Sequence, residues 1–198
     1  NPNTATRKAP MSGFKVITPP SDPVTLAEAR LHLRVTDTSE DALITSLITA
    51  SRVYCEHYTK RAIGSQTLEL ALEEFPSDDE IELPMSPVTA ITYIKYIALD
   101  GTLTTLSPSA YSLDDYGHIS RVLLPYNTYW PLTQDVDNAV FIRYVAGAAT
   151  TPAPVLAAMK LLIGNLYENR ESVVIGQTAI ELPMAVKSLL DTYRIWAS

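Results

Sequence analysis

PVLAAMKLLIGNLYENRE, residues 154–171, is the stretch on which the reading of the fold turns. Val155, Leu156, Ala157, Ala158, Met159, Leu161, Leu162, Ile163, Leu166 and Tyr167 leave only Lys160 and Asn165 as interruptions, and the run stops in Glu168, Asn169, Arg170 and Glu171. A helix on a protein surface carries polar residues along one side; one that is apolar nearly all round has to be covered. The cover is either its own domain or a neighbouring subunit, and the sequence leaves both open. About 16 residues at 1.5 Å each make a rod of roughly 24 Å, too short and too interrupted to cross a bilayer.

On the N-terminal side of this helix the hydrophobic period is 2. Residues 146–154 are a linker with Gly147, Pro152 and Pro154. Before it, Leu68, Leu70 and Leu72 alternate with Thr67 and Glu69, and Ile81 and Leu83 with Glu80 and Glu82, as half-buried strands do. Residues 88–99 are rich in Ile, Tyr, Thr and Val, and Asp100 with Gly101 gives a hairpin signal ahead of 102–106. Further strands are expected at 111–113 and 119–124, around a turn at Tyr116 and Gly117, and at 140–145. Residues 64–149 therefore read as an antiparallel β module.

Ahead of that module the period is 3.6. Thr25 and Glu28 have the spacing of a capping box, with Pro23 just before, so a first helix is expected over 25–34. An acidic link follows, then a second helix over about 39–60. Its predicted buried stripe is Leu43, Ile44, Leu47, Ile48, Ser51, Tyr54, Cys55 and Tyr58. The other side, Asp41, Thr45, Thr49, Arg52, Glu56 and Lys60, is predicted to be wet, with Glu56 and Lys60 as a surface pair. Residues 1–24 hold five of the fourteen prolines and one apolar knot, Phe14, Val16 and Ile17, and read as an extended arm. After the apolar helix, 172–181 reads as a loop or short hairpin, and Pro183 opens a last helix bearing Val186, Leu189, Leu190 and Tyr193. The expected fold is α+β: a bundle of about four helices from 25–63 and 150–198, with the β module inserted at 64–149.

The totals narrow the chemistry. With 198 residues, 46% hydrophobic and 19% charged, the composition is globular. A net charge of -7 argues against tight binding to phosphate backbones. One cysteine excludes an intrachain disulfide framework, and the absence of an apolar leader predicts a soluble chain made in the cytoplasm. Cys55 and His57 point about 200° apart on a helix and cannot share a metal ion. No phosphate-binding glycine loop or nucleophile elbow occurs, so neither a catalytic residue nor a cofactor or metal ligand is expected. The acidic clusters, Glu73 with Glu74, 78–80, Asp114 with Asp115, and Asp135 with Asp137, read as solvated turns. Tyr126, Tyr129 and Trp130, in a loop flanked by prolines, are candidate contacts with a neighbour.

Taken in order, the short helix LAEARLHLR (26–34), the acidic link, the long helix opening DALITSLITA (41–50), the β insertion, the apolar helix closing on YENRE (167–171) and a terminal LLDTYRIW (189–196) resemble the head-to-tail connector, or adaptor, family of tailed bacteriophages. The resemblance spans about residues 16–198. It implies a non-enzymatic ring component, commonly of twelve copies, sited in the virion neck beneath the portal protein. Such a ring meets a stopper or tail-completion protein on its other side, and DNA passes through it without sequence-specific binding. Twelve copies at -7 would carry -84, which suits a channel DNA traverses without sticking. The C-terminal Tyr193, Arg194, Ile195 and Trp196 would reach the portal, unless Trp196 folds back on the last helix. Leu156, Met159, Ile163, Tyr167 and Arg170, with Arg52 and Glu56, are candidate intersubunit residues, and Tyr126, Tyr129 and Trp130 candidate tail-side contacts. Two alternatives stand beside this reading: a stopper or tail-completion protein of the same channel, and a small packaging accessory enzyme using carboxylates such as Asp114 and Asp115.

Overall fold

The computed structural model describes residues 11–169 and 184–196. Two compact units share the chain: a β unit from 1–20 and 65–148, and a helical unit from 21–64 and 149–198.

The helical unit contains α1 (Leu26–Leu33), α2 (Asp41–Thr59), α3 (Ala153–Glu168) and α4 (Met184–Asp191). The capping box is formed: the Glu28 N–H donates to Thr25 Oγ1, and Glu28 Oε2 accepts from the Thr25 N–H at 2.9 Å. Arg34 and Lys60 end α1 and α2 in left-handed conformation. Between α1 and α2, Arg30 pairs with Asp41 at 2.7 Å.

The apolar helix α3 buries one side, Val155, Ala158, Met159, Leu162 and Ile163, against Ile44, Ile48, Cys55, Val186 and Leu190. Its own unit thus covers that side, while Ala157 and Leu161 remain exposed on the other. The face of α2 differs from the periodic reading. Ile44, Ile48, Ser51, Arg52, Cys55, Glu56 and Thr59 are buried, whereas Tyr54 is turned outward. Two residues read as wet are inside because they satisfy each other and the chain around them: Arg52 binds Asp22 at 2.6 Å and Glu56 at 2.7 Å, and Glu56 Oε1 accepts the Ile63 N–H at 2.9 Å. The expected partner of Glu56, Lys60, is exposed at the helix C-cap.

The β unit holds β1 (Met11–Thr18), β2 (Gln66–Leu72), β3 (Glu80–Glu82), β4 (Val88–Ile97), β5 (Leu103–Thr105), β6 (Ser112–Asp114), β7 (Arg121–Leu123) and β8 (Val140–Ala146). A five-stranded antiparallel sheet runs β1-β2-β8-β4-β5, and a three-stranded one runs β3-β7-β6. Part of the stretch read as an extended arm is thus an edge strand, with Phe14 opposite Leu70 and Val16 opposite Leu68. The Asp100 and Gly101 hairpin is present: Gly101 has φ +84°, its N–H donates to Ala98 O, and Asp100 Oδ1 accepts from the Thr102 N–H.

Alternation sorts the faces. Leu68, Leu70, Ile94, Ile142 and Tyr144 are buried on one side of the larger sheet, and Ile81 and Val122 are buried on the smaller. Tyr144 Oη donates to Pro84 O at 3.0 Å, and Ser120 links the two sheets by accepting the Val88 N–H on Oγ and donating its N–H to Ser86 Oγ. The unit is a two-layer sandwich with those side chains as its core.

Candidate interaction surface

An exposed aromatic patch on the helical unit is built by α2 and the chain that follows α4. Tyr54 and Tyr58 lie one turn apart, so their rings stack with centroids 6.3 Å apart. Asp191, the last residue of α4, accepts the Tyr58 hydroxyl at 2.6 Å, and this bond pushes the Tyr58 phenol above its ordinary pKa.

Beyond α4 the backbone turns back along the end of α2. The Ile195 N–H donates to Thr59 O at 2.9 Å, and Arg61 Nε donates to Tyr193 O at 2.7 Å. Partial burial pushes the Arg61 guanidinium somewhat below its usual pKa. These bonds place the Arg194 guanidinium 5.0 Å from the Tyr58 ring centroid and 4.3 Å from that of Trp196. A cation held against an exposed aromatic ring gains about 0.5–1 kcal/mol, which adds to the hydrogen bonds that hold the segment through its backbone. Trp196 is 65% exposed and Tyr54 36%. The patch offers Trp, Tyr and Arg, the residue types that dominate binding hot spots. Because Arg194 is already ordered, less side-chain entropy is lost on docking.

Of the sequence-predicted C-terminal residues, Arg194 and Trp196 are in this patch, while Tyr193 and Ile195 are half-buried and serve it through their backbones. The terminal segment folds back on the end of α2 rather than on the last helix, and Trp196 is presented outward. Tyr54 and Tyr58 were not predicted to belong here. Two tyrosines four apart on a helix were the available signal, but both fell on the stripe read as buried.

The predicted intersubunit residues are not brought together on a surface. Met159 and Ile163 are fully buried in the core of the helical unit, and Arg52 and Glu56 form the internal clamp. Leu156 is half-buried against the core, as is Tyr167, whose hydroxyl donates to Glu40. Arg170 lies outside the described residues, as does the predicted loop at 172–181. In the β unit, Trp130 is held in place, stacked on Phe75 at 4.9 Å with its Nε1–H donating to Asp78 O at 2.8 Å. It anchors a loop that leaves Tyr126 and Tyr129 at 101% and 87% exposure.

Burial pushes the Cys55 thiol up to about 12, so it stays protonated and packs as a small hydrophobe. Asp114 caps a turn, accepting from the Tyr116 N–H. Among the described residues no three His, Cys, Asp or Glu side chains are grouped to hold a metal ion, and no helix is long and apolar enough to cross a membrane.

Comparison with known proteins places these features. Residues 23–101 match the phage gp6-like head-tail connector family, in line with the resemblance read from the residues. No curated protein matches the chain. Among solved structures, a chain in the neck of an empty gene transfer agent particle, computed with C6 symmetry, is 24% identical with a TM-score of 0.79, covering 94% of this chain and 97% of that one. A chain from the neck of the native particle, computed with C12 symmetry, is 23% identical with a TM-score of 0.77, covering 94% and 97%. A chain from the native virion of such a particle is 24% identical with a TM-score of 0.77, covering 93% and 96%. The likeness includes both units, so the β unit is part of a shared fold. Residues 23–101 thus match the model of the phage gp6-like head-tail connector family, and the fold is similar along nearly the whole chain to that of neck chains of a gene transfer agent.

Proposed function

We propose that this chain is a structural adaptor in the neck of a tailed-phage-like particle, forming a ring of identical copies between head and tail and continuing the DNA channel. The reading is carried by the agreement of two independent comparisons: the sequence match to a head-tail connector family, and the fold likeness to neck chains over 94% of the chain. The neighbours' necks were computed with C6 and C12 symmetry, which supports a cyclic homo-oligomer of six or twelve copies. The role is non-enzymatic: the exposed features are aromatic and cationic docking groups rather than a nucleophile with its base.

Within this role the patch of Tyr54, Tyr58, Arg194 and Trp196 docks on the portal, and the loop carrying Tyr126 and Tyr129 meets the tail-side neck protein. The test is mass measurement and co-sedimentation with the portal protein of the same particle. Full-length chain is compared with Trp196→Ala, Arg194→Ala and a form ending before Tyr193. Binding at one chain per portal chain, weakened about tenfold or more by Trp196→Ala, is expected for a hot-spot residue. Equal binding by all forms would move the portal contact away from this patch. No binding, together with capture by the tail-side protein, would favour the stopper reading.

A further inference from the structure

The helical unit is electrically balanced, with eight acidic and eight basic side chains among its described residues, whereas the described β unit holds twelve acidic and four basic. Three of those four cations, Lys15, Lys95 and Arg143, share one face. Pairing registers put Lys15 opposite Glu69, Glu69 opposite Arg143, and Arg143 opposite Tyr93, so a single row crosses β1, β2, β8 and β4. At about 4.8 Å per strand this row is roughly 14 Å long. It lies on the outer face of the sandwich, because the next residues along each strand, Leu68, Leu70, Ile142 and Ile94, point into the core.

The row is fastened internally. Glu69, its one carboxylate, accepts from Lys15 at 3.2 Å, Arg143 at 2.6 Å and the Tyr93 hydroxyl at 2.8 Å. Lys95 and Arg143 both approach the Tyr93 ring, at 4.5 and 5.0 Å. Three cations against one carboxylate leave this face positive in a unit that is otherwise strongly negative. The opposite face has the reverse sign. On the smaller sheet Ile81 and Val122 point inward, so Glu80, Glu82 and Asp114 point out beside Arg121, flanked by exposed Asp78, Asp79 and Asp115.

We infer that these two faces meet between copies: the Lys15, Lys95 and Arg143 face of one β unit docks on the acidic outer face of the next. This rests on the ring reading above. A cyclic ring needs two different, mutually complementary surfaces on each subunit, and a sandwich positive on one outer face and negative on the other supplies them. Opposite potentials also fix register and steer encounter. Nucleic acid is the weaker occupant, because the cationic face belongs to a unit whose overall charge repels phosphate.

The test uses charge reversal on the full chain, read by native mass spectrometry and sedimentation velocity, with assembled particles checked for their content of the chain. Lys15→Glu/Lys95→Glu makes both faces acidic; Asp78→Lys/Asp79→Lys makes the acidic face basic. Arg143 is left in place because it neutralises Glu69. Each double variant, if its thermal transition stays as in the parent, is expected to lose ring assembly at least tenfold. A 1:1 mixture of the two, or one chain carrying all four substitutions, is expected to recover it. Undiminished assembly by either double variant, or failure of both combinations to recover, overturns the inference and leaves the ring reading intact. Lost DNA retention with unchanged ring mass assigns the cationic face to DNA and also overturns it. A parent chain present singly, both in solution and in particles, overturns the ring reading and this one with it.

Discussion

Glu56→Ala separates the structural account of α2 from the periodic one. In the structure the Glu56 carboxylate sits at 8% side-chain exposure, holding Arg52 at 2.7 Å and the Ile63 N–H at 2.9 Å. Removing it leaves the Arg52 guanidinium, 9% exposed, with Asp22 as its remaining ion-pair partner, and takes the acceptor from a buried backbone donor. Breaking a buried pair costs about 3–5 kcal/mol, and orphaning a buried N–H about 1–3 kcal/mol. The two losses share one carboxylate and do not add fully, so a loss of about 4 kcal/mol is expected. That is a large part of a domain's ~5–15 kcal/mol. Lys60→Ala, which removes the partner expected from sequence, should stay within about 0.5 kcal/mol. The assay is urea unfolding followed by Trp196 fluorescence in a Trp130→Phe background, since Trp196 reports the helical unit and Trp130 the β unit. Arg52→Met/Glu56→Leu together should recover part of the loss, because the buried guanidinium is then gone and the Asp22 carboxylate it leaves behind is a quarter exposed and still accepts from Thr49. A Glu56→Ala loss below about 1 kcal/mol, or a Lys60→Ala loss as large, would refute the clamp.

Gly164→Ala should stabilise α3 by about 0.5–1 kcal/mol in thermal unfolding, because the added Cβ would meet His32 Nε2 at 3.5 Å, an ordinary contact. Met159→Ala, at a fully buried position, should cost about 2–5 kcal/mol; a smaller value by calorimetry would mean the α3 core is loosely packed. Burial alone would raise the Glu69 pKa, but hydrogen bonds from Tyr93, Lys15 and Arg143 hold it below the ordinary 4.5. The folded value being the lower one, the carboxylate's contribution is complete above pH 4.5 and lost as pH falls through the folded value. The stability gap between the parent chain and Glu69→Gln, measured by urea midpoint across pH, should therefore be flat near neutrality and close below 4.5; a gap that widens in acid would contradict it.

Local chemistry was legible where a few adjacent residues suffice. The Thr25 and Glu28 capping box and the Asp100 and Gly101 hairpin need only their own neighbours, and both formed as read. The strand at 66–72 was visible by alternation because one face is core, and that at 140–146 from a run of Val, Phe, Ile and Tyr apolar on both faces. What escaped depends on distant partners. β1 carries Phe14, Val16 and Ile17 without clean alternation, and its identity as a strand comes from β2, which lies beyond two intervening helices. Periodicity assigns every charged residue to water, so it put Arg52 and Glu56 outside. Their burial requires Asp22 and the Ile63 N–H, neither of which is on the helix face. The same rule put Tyr54 inside, although it is turned outward, while Tyr58, half-buried against the core, has its hydroxyl and ring engaged by Asp191 and Arg194 from the far end of the sequence.

The chain passes between units after 20, after 64 and after 148. Asp22 lies just beyond the first passage and Ile63 just before the second, and one face of α2 binds both, through Arg52 and Glu56. Residues 23–101 hold α2 and Ile63, with Asp22 one residue outside, and continue into the β2 and β4 strands of the larger sheet. On the proposals above the two units act through different forces. The helical unit docks with aromatic rings and one ordered guanidinium on a neutral body, while the β unit meets its neighbour through opposed charge. Salt shortens the Debye length from about 10 Å at 0.1 M to 3 Å at 1 M, so it weakens the second kind of contact far more than the first. Ring closure and docking on the head are thereby separable in strength, although both belong to one chain of 198 residues.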